Sequence, residues 1–193
     1  MNPAHYLTLL RIFISPIFPL FYLQHDWFGI SVKALPYILL FLLIICEFSD
    51  YLDGKLARRR NEVTDLGKVL DPMADSITHI SLFLTFTQGM VALPLLLVLV
   101  FLYRDLFIST LRTLCAMRGV VLAARFSGKV KAAIQGFTAF LIILLMIPYT
   151  MGFLPLIIFQ QISLFSVLIA ALYTVISVGD YVYANWTYIR KAF

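Results

Sequence analysis

Six long runs of apolar residues, separated by short polar stretches, occupy most of this chain. They lie at roughly residues 6–24, 34–52, 69–88, 90–114, 132–150 and 154–189. Hydrophobic residues make up 62% of the 193 residues and charged residues only 13%, about half the charged fraction of a soluble domain. One core cannot hide this excess, because a folded chain of this length still exposes about a third of its unfolded surface. The composition therefore excludes an ordinary soluble globular protein.

The six runs predict an all-α integral membrane protein with six transmembrane helices. A membrane-spanning helix needs about 20 apolar residues, and each run supplies that length. The last run is longer than one simple span requires, so we expect it to tilt or to extend beyond the bilayer. Because no repeat, low-complexity tract or flexible linker interrupts the pattern, we expect residues 1–193 to form one domain.

Lysine and arginine are concentrated in alternate loops of the predicted bundle. The third and fifth loops carry none, whereas the second and fourth loops and the C-terminus contain Lys55, Arg58, Arg59, Arg60, Lys68, Arg112, Arg118, Arg125, Lys129, Lys131, Arg190 and Lys191. By the positive-inside rule these loops face the cytoplasm, and six spans then place both termini there. We therefore expect a multi-pass protein of the cytoplasmic membrane. The aromatic stretch at residues 181–188 predicts an interfacial anchor on the same side, with no role in chemistry.

Four aspartates flank the second loop at helical spacing. If the second helix continues past residue 52, one of its faces carries Asp50, Asp53, Gly54 and Ala57. One face of the third helix likewise carries Gly67, Asp71 and Asp75. Since the connection is short, we expect the two helices to be antiparallel neighbours whose four carboxylates converge near the cytoplasmic boundary of the membrane.

Converging carboxylates favour a site for hard divalent cations. Without compensation the four groups would repel one another and shift towards protonation. Two Mg²⁺ or Mn²⁺ ions would remove this repulsion, because both metals prefer oxygen ligands, and a pair of ions forms a clamp suited to phosphoryl transfer. The small residues on the same faces leave room for a ligand near the backbone. The alternative is a solvated network with the arginines at 58–60, which explains one acid better than two pairs at helical spacing.

The same residues resemble the signature of the CDP-alcohol phosphotransferase family, Asp-x2-Asp-Gly-x2-Ala-Arg-x8-Gly-x3-Asp-x3-Asp. Its eight fixed positions are occupied by Asp50, Asp53, Gly54, Ala57, Arg58, Gly67, Asp71 and Asp75. The resemblance implies a six-helix membrane enzyme, usually a homodimer, in which an alcohol displaces CMP from a CDP-linked substrate. It implies a catalytic base, Asp75, and two metal ions held by Asp50, Asp53, Asp71 and Asp75. It also implies a CDP site formed by Asp53, Gly54, Ala57, Arg58, Gly67 and Asp71.

Further segments resemble bacterial phosphatidylglycerophosphate synthases, one branch of that family. The opening N-P-A-H-Y-L-T-L-L-R-I matches their first motif at Thr8 and Arg11, with His5 in place of the usual asparagine. The segments Y-R-D-L-F-I-S-T-L-R and S-G-K-V-K-A-A-I-Q resemble two later motifs, with Asp105 in place of the usual glutamate. Ser76 stands where a lysine is common. This resemblance implies CDP-diacylglycerol as the donor and glycerol-3-phosphate as the acceptor.

Positive residues in and after the fourth run predict a site for the acceptor phosphate. A charge within an apolar helix is costly and normally faces a cavity or a partner, as we expect for Arg104. Arg112 lies two turns further along roughly the same face. With Lys129 and Lys131 near the start of the next helix, these arginines could surround a phosphate. The alternative is a structural pair between Arg104 and an aspartate such as Asp105, with anchoring roles for the others.

Several other conspicuous residues fit structural roles. We interpret Arg118 and Arg125 as positive-inside anchors. His79 follows Asp75 by one turn, but a metal site of oxygen ligands has little need for it, so we expect a packed histidine. Pro72 fits the first turn of the third helix. The small core residues are expected to include Cys46 and Cys115, which lack CxxC spacing.

Three other functions remain as alternatives. A cardiolipin synthase of the same family would accept phosphatidylglycerol and would need less positive charge around its acceptor. A small divalent-cation transporter would need its acids near the middle of the bilayer, whereas these acids flank a cytoplasmic loop. A prenyltransferase with paired aspartate motifs would need a longer chain and more spans. We expect lipid and phosphate ligands, and no nucleic-acid partner.

Overall fold

The computed structural model describes residues 3–59, 65–120, 122 and 125–192, with the side chains at 3–5, 7, 51, 53–59, 65–69, 191 and 192 left outside this description. The described part of the chain contains no strand and forms seven α-helices: α1 (Pro3–Ile14), α2 (Ile17–Leu23), α3 (Leu35–Arg59), α4 (Asp65–Thr85), α5 (Leu95–Met117), α6 (Phe126–Thr150) and α7 (Leu156–Ala192). The all-α prediction is therefore confirmed for these ranges.

The six apolar runs correspond to these helices, with α1 and α2 together forming the first run. A turn at Ser15 and Pro16 divides that run in two, because a proline cannot donate the backbone hydrogen bond of a helix interior. By length and composition, two helices within the described ranges can cross a membrane, Phe126–Thr150 and Leu156–Arg190. Helices α4 and α5 do not meet this criterion, because aspartates in α4 and charged residues in α5 interrupt their apolar sequence. The number of spans and the side on which the termini lie stay predictions.

Proline and glycine mark several helix ends. Three helices begin directly after a proline, where the missing N–H costs little: these prolines are Pro16, Pro94 and Pro155. After α5, Gly119 adopts a left-handed conformation with φ +76°, the backbone geometry that commonly ends a helix.

The prediction that Pro72 lies in the first turn of its helix is wrong. Helix α4 begins at Asp65, and the proline lies inside it. The polar residues ahead of the apolar run continue the helix by one turn.

Helix α1 packs against both α3 and α4, which contact each other at few of the described positions. Helix α6 also contacts α3 and α4, and α7 packs along α5 and α6. The expected direct packing of α3 on α4 is thus largely replaced by contacts that each makes with α1 and α6. The acidic ends of α3 and α4 consequently face side chains from these two further helices.

A continuous apolar core holds the helices together. Its fully buried members come from most of the helices and include Phe18, Leu39, Leu82, Phe83, Phe101, Ile142 and Phe159. The rings of Phe83 and Phe101 are 4.9 Å apart between centroids, a favourable distance for an aromatic pair. Both cysteines are free thiols in buried positions, as predicted: Cys46 and Cys115.

Candidate active site

The helical continuation on which the acidic faces depend is confirmed. Helix α3 runs to Arg59 and α4 begins at Asp65, so each signature residue lies on a helix at the predicted spacing. For five of the eight signature residues the structure describes the helical backbone alone, so their predicted ligand contacts stay predictions. These residues are Asp53, Gly54, Ala57, Arg58 and Gly67.

The three signature aspartates with described side chains line one cavity. Asp50 on α3 and Asp71 and Asp75 on α4 face a space of about 390 Å³ that is also bounded by α5 and α6. These three residues therefore line the same cavity, as helical spacing predicted.

Two residues of α1 contact these aspartates. Arg11, only 2% exposed, donates a hydrogen bond from Nη1 to Oδ1 of Asp50. Thr8 donates from Oγ1 to Oδ1 of Asp71 at 2.9 Å. In the sequence, both residues stood out only as matches to a motif. An arginine inside the first apolar run was the available signal, since a buried charge needs a partner.

A histidine lies between Asp75 and a second carboxylate, Glu47, which was not among the predicted site residues. His79 is buried, as predicted; its Nδ1 is 3.3 Å from Oδ1 of Asp75 and its Nε2 is 3.4 Å from Oε1 of Glu47. Glu47 lies one turn before Asp50 on α3, so its helical spacing was a signal that could have found it. Each nitrogen of the ring thus faces one of the two carboxylates.

Carboxylate oxygens are the donors that Mg²⁺ and Mn²⁺ prefer, so the chemistry of the Asp50, Asp71 and Asp75 side chains fits hard divalent cations. Among the side chains that the structure describes, no three His, Cys, Asp or Glu residues converge closely enough to hold an ion. The ligand set implied by the signature also includes Asp53, which is outside that description.

A second, larger cavity adjoins two of these aspartates. It has a volume of about 650 Å³ and lies between α3, α4 and α6. Its walls are mostly apolar, with contributions from Leu43, Ile44, Phe48, Phe137 and Phe140. Asp50 and Asp75 line both cavities. The carboxylates therefore lie where an apolar-walled cavity meets a polar one.

The polar cavity is lined by cations on the side facing α5 and α6. All four residues predicted to bind the acceptor phosphate are present, namely Arg104, Arg112, Lys129 and Lys131. Arg125, interpreted from the sequence as an anchor, lines the cavity too. Its Nη2 is 3.0 Å from Oδ1 of Asp180 on α7. The five cations and the aspartates thus share one cavity.

Arg112 contacts helix α7 through Tyr181. The Nε of Arg112 donates to Oη of Tyr181 at 3.0 Å, and the guanidinium carbon lies 5.1 Å from the ring centroid. Tyr181 is 1% exposed, whereas Tyr183 is 86% and Trp186 is 53% exposed. The prediction of an aromatic anchor is therefore wrong for Tyr181, because this position of α7 faces α5 and the bundle interior.

The architecture and the acidic signature correspond to a known enzyme family. The profile of the CDP-alcohol phosphatidyltransferase family matches residues 1–177. The chain belongs to this family. The resemblance found in the sequence is confirmed, and so is the prediction that the chain is a transferase enzyme.

Relatives of this CDP-alcohol phosphatidyltransferase include proteins with two different names. A CDP-diacylglycerol–glycerol-3-phosphate 3-phosphatidyltransferase of Bacillus subtilis is 31% identical over an alignment of 197 residues, covering 99% of this chain and 98% of the relative. A protein of the same name from Rickettsia typhi is 30% identical over 145 residues, covering 74% of this chain and 76% of the relative. A cardiolipin synthase (CMP-forming) of Streptomyces coelicolor is 47% identical over 66 residues, covering 34% of this chain and 30% of the relative.

Two positions at which this phosphatidyltransferase departs from its motifs contact each other. The Oγ of Ser76 donates to Oδ2 of Asp105 at 2.8 Å. Asp105 also accepts from Nη1 of Arg104 at 2.9 Å and from Nζ of Lys131 at 2.8 Å. The structural pair considered as an alternative for Arg104 is thus present, and Arg104 lines the cavity at the same time.

Proposed function

We propose that this chain transfers the phosphatidyl group of CDP-diacylglycerol to sn-glycerol-3-phosphate, giving phosphatidylglycerophosphate and CMP. The observation that carries this proposal is the position of Asp50 and Asp75, which line both an apolar-walled cavity and a cation-lined cavity. A lipid-linked donor suits the first cavity, and a phosphate-bearing acceptor suits the second. The names of the relatives that match most of the chain agree with this assignment.

The donor would lie along α3 and α4. Its diacylglycerol part would occupy the apolar-walled cavity, because apolar side chains favour acyl chains over water. Its cytidine diphosphate would contact the signature residues whose roles the resemblance implies: Asp53, Gly54, Ala57, Arg58, Gly67 and Asp71.

Two divalent cations, Mg²⁺ or Mn²⁺, would be held by Asp50, Asp53, Asp71 and Asp75. When bound, they would polarise the pyrophosphate of the donor and balance the negative charge that develops on CMP as it leaves. The hydrogen bond from Arg11 to Asp50 and the one from Thr8 to Asp71 would keep these carboxylates oriented towards the cavity.

The remaining chemistry is performed by residues of the chain. Asp75 would take the proton of the acceptor's 1-hydroxyl as that oxygen attacks the phosphorus bonded to diacylglycerol. The bond from this phosphorus to CMP breaks as the new phosphorus–oxygen bond forms. The acceptor phosphate would be bound by Arg104, Arg112, Lys129 and Lys131. Hydrogen bonds between such charged groups contribute about 1.5–3 kcal/mol each.

We place this reaction at the cytoplasmic face of the cell membrane. Six transmembrane helices with both termini in the cytoplasm would bring the positive loops and the acidic cluster to that side. The apolar-walled cavity could then take its lipid from the surrounding bilayer. A homodimer is the assembly that the family resemblance implies.

Cardiolipin synthesis is the second candidate, and the partial similarity to a cardiolipin synthase supports it. Its acceptor, phosphatidylglycerol, carries one negative charge on a phosphodiester, whereas glycerol-3-phosphate carries a dianionic phosphate near neutral pH. Five cations around the polar cavity favour the more highly charged acceptor. Asp50 and Asp75 also line both cavities, an arrangement that favours a transferase over a cation transporter.

CMP release from CDP-diacylglycerol by the purified chain tests the choice of acceptor. We expect turnover with sn-glycerol-3-phosphate and at least about 100-fold less with phosphatidylglycerol, glycerol or inositol phosphate, because lost charge or misplaced phosphate removes about 3 kcal/mol of binding. The comparison uses matched detergent micelles for all acceptors. Turnover with phosphatidylglycerol alone would instead favour cardiolipin synthesis.

A further inference from the structure

A buried carboxylate stands behind the cation-lined cavity. The Asp105 side chain is 8% exposed and is not part of the cavity lining. Its Oδ1 accepts hydrogen bonds from Arg104 and Lys131, and its Oδ2 accepts one from Ser76 and a second from Lys131. These donors lie on α5, α6 and α4. One carboxylate therefore links the three helices that bound this side of the cavity.

The group formed by Asp105, Arg104, Lys131 and Ser76 carries more positive than negative charge. Arg104 and Lys131 share the Asp105 carboxylate, so these three residues together carry one unit of net positive charge beside the cavity that both cations line. The Nε of Arg104 is buried and makes no hydrogen bond within the described ranges. A Cβ built on Gly128 would lie 3.5 Å from Nη2 of Arg104, so α6 packs closely against the guanidinium. The position of Arg104 is thus constrained from two sides.

We infer that Asp105 is a positioning residue. From outside the cavity lining, its carboxylate holds Arg104 and Lys131 in the orientation that receives the acceptor phosphate. The inference rests on the proposed function, since it takes a phosphate-bearing acceptor as the ligand of this cavity. Lys131 is 4% exposed, and a buried ammonium needs a counter-charge to stay fixed. Without the carboxylate the two cations would repel each other and lose their common direction.

Steady-state kinetics of Asp105→Asn and Asp105→Glu test this role, with each substrate varied in turn. Asp105→Asn should raise the KM for sn-glycerol-3-phosphate about 10- to 100-fold, because its neutral amide holds the two cations less firmly. The KM for CDP-diacylglycerol should change less than about twofold, since that substrate is bound on α3 and α4. Asp105→Glu keeps the charge and should recover most of the acceptor affinity. Asp26→Asn, at an exposed site in the first loop, is the matched control and should behave as the wild type.

The outcomes separate the inference from the proposed function. Equal increases in both KM values, or an unchanged acceptor KM in Asp105→Asn, would overturn the positioning role while leaving the function intact. No CMP release by the wild type with sn-glycerol-3-phosphate would overturn the function, and the inference with it. If Asp105→Asn does not fold, Ser76→Ala decides the matter. Losing the hydrogen bond from this uncharged hydroxyl to Asp105 should raise only the acceptor KM, by about two- to tenfold, and an unchanged value would contradict the inference.

Discussion

Replacement of Asp75 by asparagine is expected to lower the rate of CMP release about 10²- to 10⁴-fold, the usual contribution of a general base. An amide has nearly the same shape as the carboxylate but cannot accept the proton of the acceptor hydroxyl. The asparagine would occupy the same space beside His79, whose Nδ1 lies 3.3 Å from Oδ1 of Asp75. The loss should therefore appear mainly in kcat, measured at saturating concentrations of both substrates.

Metal titration distinguishes this role from that of a pure metal ligand. By calorimetry, Asp75→Asn should keep most of the affinity for Mg²⁺ or Mn²⁺, whereas Asp50→Asn and Asp71→Asn should weaken it clearly. Because Asp75 is also one of the proposed metal ligands, the expected contrast is one of degree. Activity of Asp75→Asn near the wild-type level would show that the base is another residue and that the proposed mechanism is wrong.

Removal of divalent cations is expected to lower CMP release by roughly 10³-fold or more, because metal polarisation of a phosphoryl group contributes several kcal/mol. Chelation followed by gel filtration prepares the metal-depleted protein. Addition of Mg²⁺ or Mn²⁺ should restore the rate, with a dependence on metal concentration that is steeper than for one site.

Glu47→Gln is the matched control for this experiment. Glu47 lines the apolar-walled cavity near Asp50 but lies outside the predicted ligand set, so the variant should bind metal as the wild type does. Full activity in protein whose metal content has been measured as negligible would contradict the assignment of the aspartates as metal ligands.

Helical periodicity predicted the elements and the acidic face of this molecule well. Spacing along one helix determines which side chains share a face, and Asp71 and Asp75 do line one cavity with Asp50. The cost of a charge in an apolar segment correctly indicated that Arg104 faces a cavity or a partner. The structure shows that it does both.

Contacts between helices were beyond the reach of the sequence. Periodicity gives the face on which Asp50 lies but not the helix opposite it, so the role of Arg11 on α1 was missed. Tyr181 looked like a membrane anchor because it belongs to an aromatic stretch, yet its position on α7 turns it towards Arg112. For Asp105 the sequence offered a departure from a motif and a possible pair with Arg104, but its three donor residues lie on three different helices and could not be assembled from spacing.

The measurement that tests the central claim most directly follows labelled acceptor into lipid. Purified chain is incubated with CDP-diacylglycerol, Mg²⁺ and carbon-14-labelled sn-glycerol-3-phosphate, and the organic phase is counted and separated by thin-layer chromatography. Our account predicts label in phosphatidylglycerophosphate, in amounts equal to the CMP released, and none when CDP-diacylglycerol is omitted. Release of CMP while all the label stays in the aqueous phase would contradict it.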